Sequence, residues 1–188
     1  AYGTMNIDAT STFETTQDFL VTANGTMNVN GGNVKVDGKL TNNGAVNIKD
    51  ATVKLAKLDN DNLMFIEGEN TLQVEDASGS SFALRARDGV VFNNSYVKGT
   101  ANETMRLLGS ATFNGGFECA YLQGKSQDES NTDNNGVGGT IIIEEGTTVH
   151  ATYGVEFSNN YVLNGGTIEL SGGNANGGIW GCVFPAGE

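Results

Sequence analysis

A tandem match between two neighbouring stretches constrains this chain more than any other feature. Gly25-Thr-Met-Asn-Val-Asn-Gly-Gly-Asn-Val-Lys-Val36 is followed by Gly44-Ala-Val-Asn-Ile-Lys-Asp-Ala-Thr-Val-Lys-Leu55. With Gly25 laid on Gly44, Met27 falls on Val46, Val29 on Ile48, Val34 on Val53 and Val36 on Leu55. Alternating polar residues and small turn residues fill the space between, so each stretch reads as two short strands and a turn. A unit of that size cannot bury its apolar face alone and must stack on a copy of itself.

The pattern spreads along the chain. Strands of the form Thr-apolar-x-apolar start at Thr4, Thr26, Thr71, Thr104, Thr140 and Thr167, with Ala45 as a variant, which predicts about seven coils. A second alignment lays Leu84–Asn94 over Val149–Asn159, with Met105–Gly115 on the same template. It points Val90, Phe92, Ala111, Phe113, Val155, Phe157, Cys182 and Phe184 inward. In that alignment Arg85, Arg106 and His150 share one outward column, and Cys119 sits in a four-residue insertion. The expected fold is all-β: one domain over residues 1–188, a right-handed parallel β-helix whose coils stack at about 4.8 Å. Asparagine runs at Asn42-Asn43, Asn93-Asn94 and Asn159-Asn160 suit left-handed turn positions and side-chain ladders. Ser11–Phe19 and Trp180–Glu188 are the expected caps of a stack that otherwise offers bare edges for end-to-end self-association.

Composition narrows the partners. A net charge of -12 argues against sequence-independent binding to nucleic acid or an anionic membrane, both of which need a Lys/Arg surplus. No apolar run approaches the roughly 20 residues of a membrane-spanning helix. The opening residues show no basic-then-apolar leader, so a signal peptide is expected to have been removed or to lie outside this stretch. Cys119 and Cys182 fall two coils apart, too far for a disulfide, and two free thiols are expected.

The repeated Gly-Thr-apolar-Asn-apolar strands with Gly-Gly turns resemble the right-handed parallel β-helices of bacterial surface and secreted proteins. These are the autotransporter passengers, adhesins and pectin-lyase-like proteins. Gly138-Gly-Thr-Ile141, Gly165-Gly-Thr-Ile168 and Phe157-Ser-Asn-Asn160 resemble the short repeats of polymorphic outer-membrane passengers. The resemblance implies the fold and an extracellular place on a bacterial surface, with a host surface or glycan as partner.

Candidate binding residues are Arg85, Arg87 and Arg106, the three arginines of the chain, together with His150 and Asp88. Arginine suits bidentate capture of carboxylates, so a stripe of them would hold an acidic sugar. The polar stretch Gly124–Gly138 reads as a long surface loop, with Asp128, Glu129 and Asp133 as its charged candidates. Asp59-Asn-Asp-Asn62 reads as a polar turn rather than a calcium site, and no metal or cofactor is expected. The leading expectation is a non-enzymatic adhesin or stalk. The alternative is a carbohydrate-binding or carbohydrate-active β-helix acting on acidic polysaccharide, an enzyme of that kind using Arg85 or Arg106 near Asp88.

Overall fold

The computed structural model describes residues 1–79, 83–99, 104–124, 139–157, 160–171 and 179–180. Among them there is no helix; eighteen strands join into a single all-parallel sheet wound into a β-solenoid of about seven turns. The first coil holds β1 (Thr4–Asp8), β2 (Thr12–Thr15) and β3 (Phe19–Val21). Next come β4 (Thr26–Asn30) and β5 (Asn33–Asn42), then β6 (Ala45–Lys49) and β7 (Thr52–Asn60). The fourth and fifth coils are β8 (Met64–Glu67) with β9 (Glu69–Gly79), and β10 (Leu84–Ala86) with β11 (Val90–Gly99). The stack finishes with β12 (Thr104–Leu107), β13 (Ala111–Gly124), β14 (Thr140–Ile143), β15 (Thr148–Phe157), β16 (Asn160–Leu163), β17 (Thr167–Leu170) and β18 (Ile179–Trp180).

On the first side of the solenoid, Met5, Met27, Val46, Met64, Leu84, Met105, Leu122 and Val155 form one inward column, each paired in register with the next. All four methionines of the chain stand in this column, where an unbranched thioether fits the uneven space between coils. Ile7, Val29, Ile48, Ile66, Ala86 and Leu107 make the parallel inward column, all buried. The second side carries Val36, Leu55, Val74, Val97, Cys119 and Ala151 in the same fashion. The tandem match of the sequence is this register: Met27 pairs with Val46, Val29 with Ile48, Val34 with Val53 and Val36 with Leu55.

The third side changes hands along the stack. In the early coils it is β3, then the C-terminal ends of β5, β7 and β9, with Leu40, Leu58 and Ala77 inward. Among the described residues, the last pairing of that ladder is Ala77 with Gly99. Meanwhile the corner between the first and second sides lengthens. It is Gly31-Gly32 in the second coil, begins to pair at Glu69-Asn70, and becomes full strands at Val90–Asn93, Ala111–Asn114 and β14. The cause is apolar sequence at that corner: Phe92, Phe113 and Ile143 are wholly buried there. The opposite corner shrinks to Ala120 in β13, which therefore runs straight from the second side into the first.

Three expectations need correction. Ser11–Phe19 does not cap the stack, because β2 and β3 are strands of the first coil, paired to β5. Leu84 and Val149 are not equivalent: Leu84 pairs with Met64 and Met105 on the first side, whereas Val149 pairs with Phe117 and Ile168 on the second. Thr71, Thr140 and Thr167 do start or enter strand segments, but not in the column of Thr4 and Thr26. Of the second expected cap, residues 181–188 lie outside the described residues. Met105–Phe113 does follow the template of Leu84–Phe92.

Polar ladders close the corners. Asn28 donates to Asn6 and Asn47 to Asn28, each at 2.9 Å, in an outward column of the first side. Asn42 donates to Asn60 at 2.7 Å inside the corner leading back to the first side. Asn94 and Asp50 take left-handed backbone conformations, φ 45° and 51°, as short polar residues tolerate. Asp59 and Asn60 belong to β7 rather than a turn: Asp59 faces out to Lys39 and Asn60 is buried.

Candidate functional site

The outward column of the first side starts as asparagine and then changes character. Asn6, Asn28 and Asn47 are followed by Phe65, Arg85, Arg106, Gln123 and Glu156. An outward strand position normally meets solvent. Here Arg85 is only 3 % exposed, Arg106 8 % and Gln123 3 %. The expected register of Arg85 with Arg106 is present, yet these arginines do not form an open stripe, and neither is free.

Gln123 is the hub of this ladder. Its Oε1 accepts from Arg106 Nε at 3.0 Å, and its Nε2 donates to Glu156 Oε2 at 2.7 Å. The Tyr121 hydroxyl donates to the same oxygen at 2.9 Å, and the Tyr121 ring meets Tyr153 edge-on at 5.9 Å. A cation and a carboxylate thus communicate through a neutral amide, in a buried setting where unmade hydrogen bonds are costly. Burial, reinforced by Glu156, pushes the Tyr121 hydroxyl well above the ordinary phenol range and keeps it a proton donor. Among the described residues the ladder contains one carboxylate, Glu156, and glycoside hydrolysis of the common kind uses two flanking one bond.

The other predicted residues lie elsewhere. His150 stands on the second side, between Glu118 and Glu169 in register, so it does not join the arginine column. Its Nε2 is 2.6 Å from Ser171 Oγ and its Nδ1 3.9 Å from Glu118. Asp88 occupies the turn after Ala86, where its carboxylate accepts from the Ser110 backbone N–H at 2.7 Å. Arg87 lies over the Phe65 ring, 4.4 Å from its centroid, and pairs with Glu67 at 3.4 Å. Glu67 also holds Lys49 at 2.7 Å, and these bonds, chiefly that to Lys49, draw its carboxyl below the usual range. Asp128, Glu129 and Asp133 lie outside the described residues. Cys119 pairs with Val97 and Ala151 and is buried; a single extra residue, not four, separates its coil from the one before. Burial pushes its thiol up, so it is an inert packing group.

Sequence reasoning missed the outward column of the second side: Glu14, Lys35, Lys54, Gln73, Tyr96, Glu118, His150 and Glu169. Two shallow grooves flank Tyr96 on this face. One is lined by Lys35, Lys54, Ala56, Gln73 and Glu75, the other by Asn94, Gly116, Glu118 and His150. Tyr96 donates a short hydrogen bond to Glu75, and Lys98 sits over its ring at 4.5 Å. Only the register could reveal this column, since its members are 19 to 32 residues apart in sequence and share no motif.

Glu75, then burial, raises the Tyr96 pKa to about 12. The folded chain therefore keeps this proton after the unfolded chain has lost it at about pH 10. The associated stability is fully present below pH 10 and fades as pH rises towards 12. Phenolate absorbance of the wild type minus that of Tyr96→Phe is expected to titrate near pH 12. In a Glu75→Gln background the same difference moves towards 10.

Compared with protein-family models, with curated proteins and with solved structures, the chain matches none.

Proposed function

We propose that this chain is a non-enzymatic, extracellular β-solenoid that presents its outer surface to a host surface or glycan. One observation carries the reading. Inward columns stay apolar from coil to coil, while the solvent-facing outward column of the second side passes from glutamate through lysine, glutamine, tyrosine, glutamate and histidine to glutamate. A stack in which each coil contacts only its neighbours tolerates such outward variation without loss of its core. The resemblance to bacterial surface β-helices supports the extracellular placement and an adhesin or passenger role. The alternative, a carbohydrate-binding or carbohydrate-active β-helix using the Arg85, Arg106 and His150 stripe or an arginine near Asp88, has less support: both arginines are buried on the first side, His150 lies on the second, and the Asp88 carboxylate accepts from the Ser110 N–H.

The test is a glycan array read beside a turnover assay on the same acidic and neutral polysaccharides. Saturable binding with no new reducing ends and no unsaturated products is the expected result. Chain shortening of any bound polysaccharide would overturn the non-enzymatic reading.

A further inference from the structure

An Asn-Gly step is open to attack by the chain on its own side chain, because glycine sets no side chain beside the attacking nitrogen. Five such steps, at Asn24, Asn30, Asn43, Asn114 and Asn164, stand among the described residues, and all five asparagines are exposed. Those at Asn135 and Asn176 lie outside the described residues. The attacking atom is the main-chain nitrogen that follows the asparagine. If its hydrogen is bonded, that bond must break before the nitrogen can reach the side-chain carbon. Four of the five are held. The Gly25 N–H donates to Thr22 O at 2.7 Å, Gly31 to Lys49 O at 2.8 Å, Gly44 to Asn42 Oδ1 at 3.2 Å and Gly115 to Thr147 Oγ1 at 2.9 Å. The Gly165 N–H has no acceptor among the described residues.

We propose that Asn164-Gly165 is a self-modification site, which converts to isoaspartate without an enzyme and thereby loosens β17 from the stack. The Gly165 nitrogen forms a bond to Asn164 Cγ, the bond from Cγ to Nδ2 breaks, and ammonia leaves with the proton that Gly165 gave up. Water then opens the cyclic imide, and opening at the main-chain carbonyl leaves the backbone running through the former side chain. No oxidant or reductant takes part. Asn164 Nδ2, the nitrogen that departs, donates to Glu144 Oε2 at 2.8 Å. Conversion therefore deletes that bond and sets a new carboxylate at the corner where Gly165 packs over Glu145 and Glu144 stands beside it. It also adds a methylene to the backbone between β16 and β17. Among the described residues β17 pairs only with β15, with Thr167 N–H donating to Thr147 O at 2.9 Å just ahead of the paired stretch. A strand held along one edge has no second neighbour to keep its register once the corner lengthens.

The test incubates the whole chain in mildly alkaline buffer and maps its peptides by mass spectrometry, with fragmentation that separates isoaspartate from aspartate. In the folded chain Asn164 is expected to convert about tenfold faster than Asn24, Asn30, Asn43 and Asn114, the factor that breaking a hydrogen bond imposes on those four. In urea no step is held, and all five should convert at similar rates. Asn164→Gln, whose longer side chain closes a ring far more slowly, should stay unconverted. Amide hydrogen exchange at Thr167–Leu170 should quicken with incubation in the wild type and not in Asn164→Gln. Equal rates at Asn164 and the four held steps in the folded chain, or a difference that persists in urea, overturns the inference. So does exchange at Thr167–Leu170 that is unchanged after Asn164 has converted, or that quickens equally in Asn164→Gln.

Discussion

Phe113→Ala is expected to lower the unfolding free energy by about 3–5 kcal/mol. Phe113 is wholly buried where the third side of the solenoid has moved to its new corner. Its ring stacks on Phe92 at 5.6 Å and tilts against Phe117 at 4.7 Å, and Phe92 meets Phe117 at 5.1 Å. These three rings join two coils and two sides, so neighbouring strands cannot collapse into the space without breaking their parallel register. Urea unfolding of wild type and Phe113→Ala measures the difference. A change under about 1 kcal/mol would mean that the aromatic cluster is not packed as described.

Gln123→Leu is the second large effect, and hydropathy alone would give it the wrong sign. Leucine fills a similar volume and is more apolar, in a position only 3 % exposed. It would nevertheless leave Arg106 Nε without its acceptor and remove one of the donors to Glu156. A buried polar group stripped of its partner costs about 1–3 kcal/mol, more when charged, so a loss of roughly 2–5 kcal/mol is expected. Gln123→Glu distinguishes this from a simple volume effect: it keeps an acceptor for Arg106 but sets a second carboxylate beside Glu156. Denaturant midpoints should therefore rank wild type above both variants, and a Gln123→Leu protein as stable as wild type would contradict the ladder.

The repeat at Gly25–Leu55 was readable because its two copies have identical corner lengths. Gly25 and Gly44 anchor that equality. A side chain added at Gly44 would strike the carbonyl oxygens of Thr22 and Gly25, so successive coils approach too closely there for anything larger. Further on, alternation still marks which residues face inward, as Phe92 and Phe113 show. It cannot tell one side from another, because all sides share the same period of two. Matching Leu84 to Val149 failed for that reason: both are inward, but different numbers of corner residues precede them, and His150 went to the wrong side with Val149. Burial of Arg85 and Arg106 was unreadable on a different ground, since alternation describes a strand's own faces and not what lies over the outer one.

Distance along the outward column of the second side tests the stack most directly. Glu14 and Glu169 are both exposed, and seven register steps through Lys35, Lys54, Gln73, Tyr96, Glu118 and His150 join them. Spin labels at Glu14→Cys and Glu169→Cys, in a background carrying Cys119→Ser and Cys182→Ser, report that span by dipolar spectroscopy. A parallel solenoid at the usual strand spacing predicts one narrow distribution centred at about 34 Å. A centre below about 25 Å, or a broad spread with several maxima, would contradict a continuous parallel stack.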